Sequence, residues 1–174
     1  MTHREKPNHQ ADVCFMNKAL NLARNGIGDD VPVGAIVVVG GEIVGEGVNQ
    51  GRASHDPTAH AEIIALRLAA ARLGNYRLPL STLYVTLEPC LMCLGAMMEG
   101  RVHRLVFGAR DPKRGVAGSL YDLHNDPRFT HRIKVESGLC EEESGDLLRQ
   151  FFEKKKRKMN GHQATNPSSS VKPF

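Results

Sequence analysis

Tryptophan is absent from this chain of 174 residues, and all aromatic residues together make up only 5% of it. No indole is therefore available to any pocket the chain builds. Cysteine is scarce. There are four, and two of them stand three positions apart, a pattern that excludes a disulfide scaffold and points to a reduced compartment. No apolar run approaches the roughly 20 residues that a membrane-crossing helix needs, and mean hydropathy is −0.32. The start, Met1-Thr2-His3-Arg4-Glu5-Lys6-Pro7, has no apolar stretch of the kind that directs secretion, so a cytoplasmic protein is expected. What remains, with 41% hydrophobic and 24% charged residues, is the size of one ordinary domain with enough interior for a core.

The formal net charge of +4 is unevenly spread. Residues 1–148 carry 16 lysines and arginines against 18 acids, so the body is nearly neutral. Residues 149–158 carry six basic groups and one acid. A polyanionic partner would be gripped locally, near this end; the alternative is a solvated basic tail.

Apolar periodicity predicts a helix over 12–25, closed by Asn25-Gly26. Two β-branched runs within 33–48, split by Gly40-Gly41, predict a hairpin. A second helix is expected over about 59–73, with Ile63, Leu66, Ala70 and Leu73 on its buried stripe. Then come a buried strand over 82–87 and a helix opened by Pro89 and running to about Arg101, with Met97 and Met98 in the core. A strand over 105–109, a polar loop over 110–131, a short strand over 133–136 and a helix over 141–158 complete the order. Residues 1–10 are expected to be flexible and 159–174, rich in Ser, Pro, Gly and Asn, disordered. The chain between them, 11–158, reads as one layered α/β domain without internal repeats.

Two short motifs carry chemistry. His60-Ala61-Glu62 opens one predicted helix, and Glu88-Pro89-Cys90-Leu91-Met92-Cys93 opens the next. Cysteines three apart share a helix face, and free N–H groups and the positive dipole end of a first turn favour thiolates. With His60 they make a two-thiolate, one-imidazole set suited to Zn²⁺, and three protein ligands leave one tetrahedral position open, as catalytic zinc sites do. Cys14 and Cys140 have no partner spacing and are expected to be plain buried or half-buried thiols. Zn²⁺ with two thiolates and a neutral imidazole carries no net charge and acidifies water weakly, so a separate base is needed. Glu62 is the candidate. On an ideal helix it stands about 200° from His60, beside the metal and not on it. Taken singly, His-x-Glu could be ordinary surface chemistry, and Cys-x-x-Cys a redox pair or half a zinc knuckle. Together, each opening a helix, they form the H-x-E…P-C-x-x-C signature of zinc nucleobase deaminases.

At these residues the chain resembles the cytidine deaminase-like superfamily, and within it the bacterial branch that converts the wobble adenosine of tRNA to inosine. The likeness extends to VPVGAIVV (31–38), GEGVN (45–49), HDPTAHAEIIALR (55–67), NYRL (75–78), TLYVTLEPCLMCLGAM (82–97), VFGARDPKRGVAGSL (106–120) and Phe151-Phe152. It implies a three-layer α-β-α sandwich around a mixed five-stranded sheet, one zinc per chain, and a homodimer acting on a tRNA anticodon stem-loop. His60, Cys90 and Cys93 would hold the zinc while Glu62 relays protons as a zinc-activated water attacks C6. The Ala61 N–H and Asn49 would hold the flipped adenine, and Asp111 the ribose or neighbouring backbone. Arg110, Lys113 and Arg114 would follow the RNA strand, Phe151 or Phe152 would stack on loop nucleotides, and Lys154, Lys155 and Lys156 would meet phosphates. Plainer roles stand beside these: Asn49 as a turn residue, Asp111 as a loop cap, the Phe pair as packing. The sequence departs from that branch at Val48, where Trp is common, and at Glu153, where the branch is basic. Two rival functions are a deaminase of a free base, nucleoside or nucleotide and, from another class, a non-catalytic zinc module that binds nucleic acid.

Overall fold

In the computed structural model, which describes residues 9–26 and 28–163, the strands are β1 (Gly34–Val39), β2 (Glu42–Val48), β3 (Thr82–Leu87), β4 (Arg104–Ala109) and β5 (Lys134–Ser137). They form one mixed sheet in the order β2-β1-β3-β4-β5, antiparallel across the first two pairings and parallel across the last two. The helices are α1 (His9–Arg24), α2 (Gly51–Ser54), α3 (Ala61–Leu73), α4 (Leu91–Glu99) and α5 (Glu141–Gln163).

Strand side chains alternate between faces, and in central strands both faces are apolar. Ala35, Val37, Leu83, Val85, Leu105 and Phe107 pack with α3 and α4. Ile36, Val38, Tyr84 and Val106 pack with α1, and Leu147 of α5 joins that side. The result is the expected three-layer α-β-α sandwich. Because β2, β3, β4 and β5 all run the same way, Val48, Leu87, Ala109 and Ser137 end at one edge of the sheet. That edge, outside the carboxyl ends of the strands, is where α/β sheets commonly bind ligands.

Several expectations shift. The buried face of α3 is Ala61, Glu62, Ile63, Ala65, Leu66 and Ala69, while Leu73 is exposed. Small residues are needed there because α3 lies almost on β2. A Cβ on Gly45 would sit 2.2 Å from the Ala65 carbonyl oxygen, and one on Gly47 2.1 Å from that of Ala61. The helix of the Cys motif starts at Leu91, so Pro89 precedes it instead of occupying its first turn. There its carbonyl accepts the Val116 N–H. Cys14 lies on the exposed face of α1, not in the interior, and Cys140 is half-buried. Met97 is buried and Met98 partly so.

α1 already includes His9 and Gln10, and α5 continues past Lys158 to Gln163, with no proline to stop it. The remainder of the expected flexible N-terminus and disordered tail, residues 1–8 and 164–174, lies outside the described residues.

Candidate active site

Two helix starts and one strand end converge. His60 is the N-cap of α3 and Cys90 the N-cap of α4, both with extended backbone (φ −78°, ψ 153° and φ −79°, ψ 173°). Neither side chain caps its own helix, so imidazole and thiol are free to turn toward each other. Cys93 follows in the first turn of α4 and is fully buried. His60 Nδ1 lies 3.6 Å from Cys90 Sγ and 3.4 Å from Cys93 Sγ, and the two sulfurs are 3.7 Å apart.

This triangle fits zinc. Tetrahedral Zn–S bonds of about 2.3 Å and Zn–N of about 2.0–2.1 Å require S···S of about 3.8 Å and S···N of about 3.5 Å. The observed edges agree, with no movement of the chain. Among the described residues these are the only three His, Cys, Asp or Glu side chains whose ligand atoms gather closely enough to hold an ion. Without a cation the two thiols share a proton. The Cys93 thiol first, and then His60, draw Cys90 down to about 3, while Cys93 is pushed up because it donates to Cys90 and is buried. A bound metal replaces that proton, leaving both as thiolates. Cys14 and Cys140 stand outside the triangle, so no fourth protein ligand is present among the described residues.

Glu62, the second residue of α3, is buried beside the Cys93 side chain. Burial pushes its pKa up. The helical-wheel angle expected between His60 and Glu62 does not apply, because His60 is outside the helix with an extended backbone. Both residues line one cavity of about 360 Å³, large enough for a single base.

Asn49, just past β2, lines the same cavity, and its Oδ1 accepts the Ala61 N–H at 2.9 Å. The two groups expected to hold the base are thus bonded to each other. The Ala61 N–H is already taken, and Ala61 itself is buried off the cavity wall. The close α3–β2 approach explains why: Gly47 brings Ala61 against the strand end that carries Asn49. Asp111 lines the cavity too, but its Oδ1 accepts the N–H groups of Lys113 and Arg114 at 3.0 and 3.2 Å, the loop-cap role.

Arg110, Lys113, Arg114 and Phe152 complete the rim, and Arg110 also reaches the Ser137 hydroxyl at 3.2 Å. Phe151, edge-on to Phe152 at 5.3 Å, turns instead into an adjoining recess walled by Val31, Val33 and Asn49. Lys154 and Lys156 are exposed on α5, away from the cavity, and Lys155 Nζ lies 5.8 Å above the Phe151 ring. One residue of the second motif carries a role that the sequence reasoning did not give it. Glu88 is buried, lines the cavity and accepts hydrogen bonds from the loop after β4. The signal was available: a carboxylate directly after an apolar buried strand needs partners.

Sheet order and donor triangle together define a zinc-binding nucleobase deaminase, and residues 9–109 match the family described as Cytidine and deoxycytidylate deaminase zinc-binding region. The chain is 45% identical over 170 residues to the tRNA-specific adenosine deaminase of Haemophilus influenzae, covering 96% of this chain and 98% of that one. It is 46% identical over 143 residues to the one from Agrobacterium fabrum, covering 82% and 94%. A solved structure from work on A-to-I editing by tRNA:A34 deaminases superposes with a TM-score of 0.75 at 45% identity, over 78% of this chain and 99% of that one. A guanine deaminase from Nitrosomonas europaea shares the fold at 28% identity and a TM-score of 0.66, over 87% and 96%. This chain belongs to the family of tRNA-specific adenosine deaminases.

Proposed function

We propose that the protein hydrolyses the wobble adenosine of a tRNA anticodon loop to inosine. The observation that carries this is a His-Cys-Cys triangle beside a buried carboxyl, at one wall of a cavity with a basic rim. His60, Cys90 and Cys93 hold one zinc ion. Zinc held there supplies the Lewis acidity that makes water nucleophilic near neutral pH. Glu62 takes a proton from the water as its oxygen bonds to C6 of adenine and passes it to N1. It then takes the remaining proton from the new C6 hydroxyl and delivers it to the departing amine as the C6 carbonyl forms, so that adenosine and water become inosine and ammonia. The raised pKa suits a carboxyl that must both accept and return a proton.

Asn49, its oxygen committed to Ala61, keeps its NH₂ group for the base. Asp111 keeps one carboxylate oxygen for the ribose or adjoining backbone. Arg110, Lys113 and Arg114 follow the RNA strand, Phe152 stacks at the rim, and Phe151 borders the neighbouring recess. Lys154, Lys155 and Lys156 meet phosphates farther out. An unpaired loop is a favourable substrate, since a base leaves it at less cost than from a duplex.

A second copy of the chain covers the apolar surface around Leu91, Leu120 and Tyr121, which borders Cys90 and Arg114. Those side chains are strongly exposed in the single chain, and covering them would bring a second protomer to the edge of the site. A cytoplasmic location follows from action on tRNA and agrees with four free cysteines. No helix among the described residues is long and apolar enough to cross a membrane.

Ammonia release tests the substrate. An anticodon stem-loop carrying A at the wobble position is the expected substrate, with free adenosine, cytidine and guanine turned over poorly or not at all. Turnover of a free compound with none of the RNA would transfer the assignment to a small-molecule deaminase, the activity named for the Nitrosomonas neighbour. No turnover of any of them would leave a non-catalytic zinc module.

A further inference from the structure

We infer that Glu88 is a positioning residue that clamps the loop over 111–119 across the mouth of the active site and so sets the affinity for RNA. Its carboxylate is 2% exposed and sits between the end of β3 and the ligand Cys90. Oε1 accepts the N–H groups of Ala117 and Ser119, both at 3.0 Å. Oε2 accepts the N–H of Asp111 at 3.0 Å and the Ser119 hydroxyl. Both ends of the loop are therefore tied to one side chain, and the segment between them supplies Asp111, Lys113 and Arg114 to the cavity rim.

Hydrogen bonds to an ionised acceptor are about twice as strong as neutral ones, and a buried carboxylate left without donors is costly. The loop satisfies both oxygens, so Glu88 has no reason to act as a ligand or base. Its place in the chain matters as much as its bonds. The Val116 N–H reaches the Pro89 carbonyl at 3.1 Å, so the stretch that presents Cys90 to the metal also anchors the substrate loop. Gly115 marks how closely the loop is drawn in. A Cβ there would lie 2.3 Å from Glu88 Cδ and 2.6 Å from the Asp111 carbonyl oxygen.

The inference rests on the assignment of this loop to RNA, and the experiment separates the two. Glu88→Gln replaces one acceptor oxygen by an NH₂ group that faces donors. Gly115→Ala sets a methyl group against the carboxylate and the Asp111 carbonyl and so pushes the loop outward, while the charge and donor set of Glu88 stay the same. Ser119→Ala removes only the hydroxyl donor. In the full-length zinc-loaded protein, amide exchange over 111–119 should accelerate about tenfold or more in E88Q and G115A. KM for the wobble stem-loop should rise about tenfold, with kcat within about threefold and one zinc per chain retained. S119A, which removes one of the four donors to the carboxylate, should move both measures in the same direction but by less than E88Q.

Unchanged exchange over 111–119 in E88Q overturns the clamp. A collapse of kcat at constant KM overturns the positioning role, and so does loss of zinc. If E88Q does not fold, a loop that exchanges faster in G115A with KM unmoved also overturns it. Wild-type protein that leaves the stem-loop untouched refutes the RNA assignment, while the exchange measurement still decides the clamp.

Discussion

In the proposed reaction Glu62 is the carboxyl that moves protons, and burial pushes its pKa up. Glu62→Gln keeps shape and hydrogen-bonding capacity but cannot carry a proton. The variant should hold one zinc and bind the stem-loop like wild type, while kcat falls by about 10²- to 10⁴-fold. Single-turnover assays with zinc analysis check this, and an unchanged rate would remove Glu62 from the proton relay. His60, Glu62, Cys90 and Cys93 are legible in the chain because ligand spacing and helix starts are local properties. The bond between Asn49 and Ala61 is not: it links positions 12 apart and depends on how near α3 comes to β2.

That approach is set by glycines on the strand meeting alanines on the helix, a property of two elements taken together. Gly47→Ala places a methyl group 2.1 Å from the Ala61 carbonyl oxygen and must lift the start of α3, carrying His60 with it. Overpacking of this kind costs about 1–3 kcal/mol, a fall in Tm of about 3–10 °C for a chain this size. Melting curves and a zinc competition assay should show a lower Tm together with weaker metal binding, and a wild-type result in both would contradict the packing. α5 offers a different test. Replacing Lys154, Lys155 and Lys156 by Ala should flatten the log–log salt dependence of stem-loop binding by about 2, at about 0.7 per phosphate contact, and leave kcat alone. An unaltered slope would make the cluster a solvated face. The basic run itself is plain in composition, but which of its lysines are already engaged is not, since the Lys155–Phe151 contact belongs to the folded helix.

Across the molecule, one polar network ties the helix layer to the sheet. Arg104 of β4 bridges Asp12 of α1 and Glu136 of β5, each at 2.7 Å, and the Tyr84 hydroxyl donates to Asp12 at 2.5 Å. Burial raises the Asp12 pKa, but the hydrogen bonds of Arg104 and Tyr84 and the Arg104 charge outweigh it, leaving the carboxyl below its usual range. A depressed carboxylate stabilises the fold above its unfolded pKa of about 3.9 and loses that contribution as pH falls through the folded value. Acid melting curves should therefore steepen below about pH 4. Asp12→Asn should lower Tm at neutral pH by about 5 °C or more and flatten the acid limb. Parallel acid limbs in the two proteins would refute the linkage.

Strand and helix order, the apolar faces of the central strands and the metal-binding set are all written along the chain, because each depends on neighbours a few positions away. Periodicity suffices for the first two and Pro-Cys-x-x-Cys with His-x-Glu for the third. Folding alone brings Asp12 to Arg104 across 92 positions and Glu88 to Ser119 across 31, and it turns two helix starts onto one point. Buried charge finds its partners wherever packing places them, and no local pattern records which residues those will be.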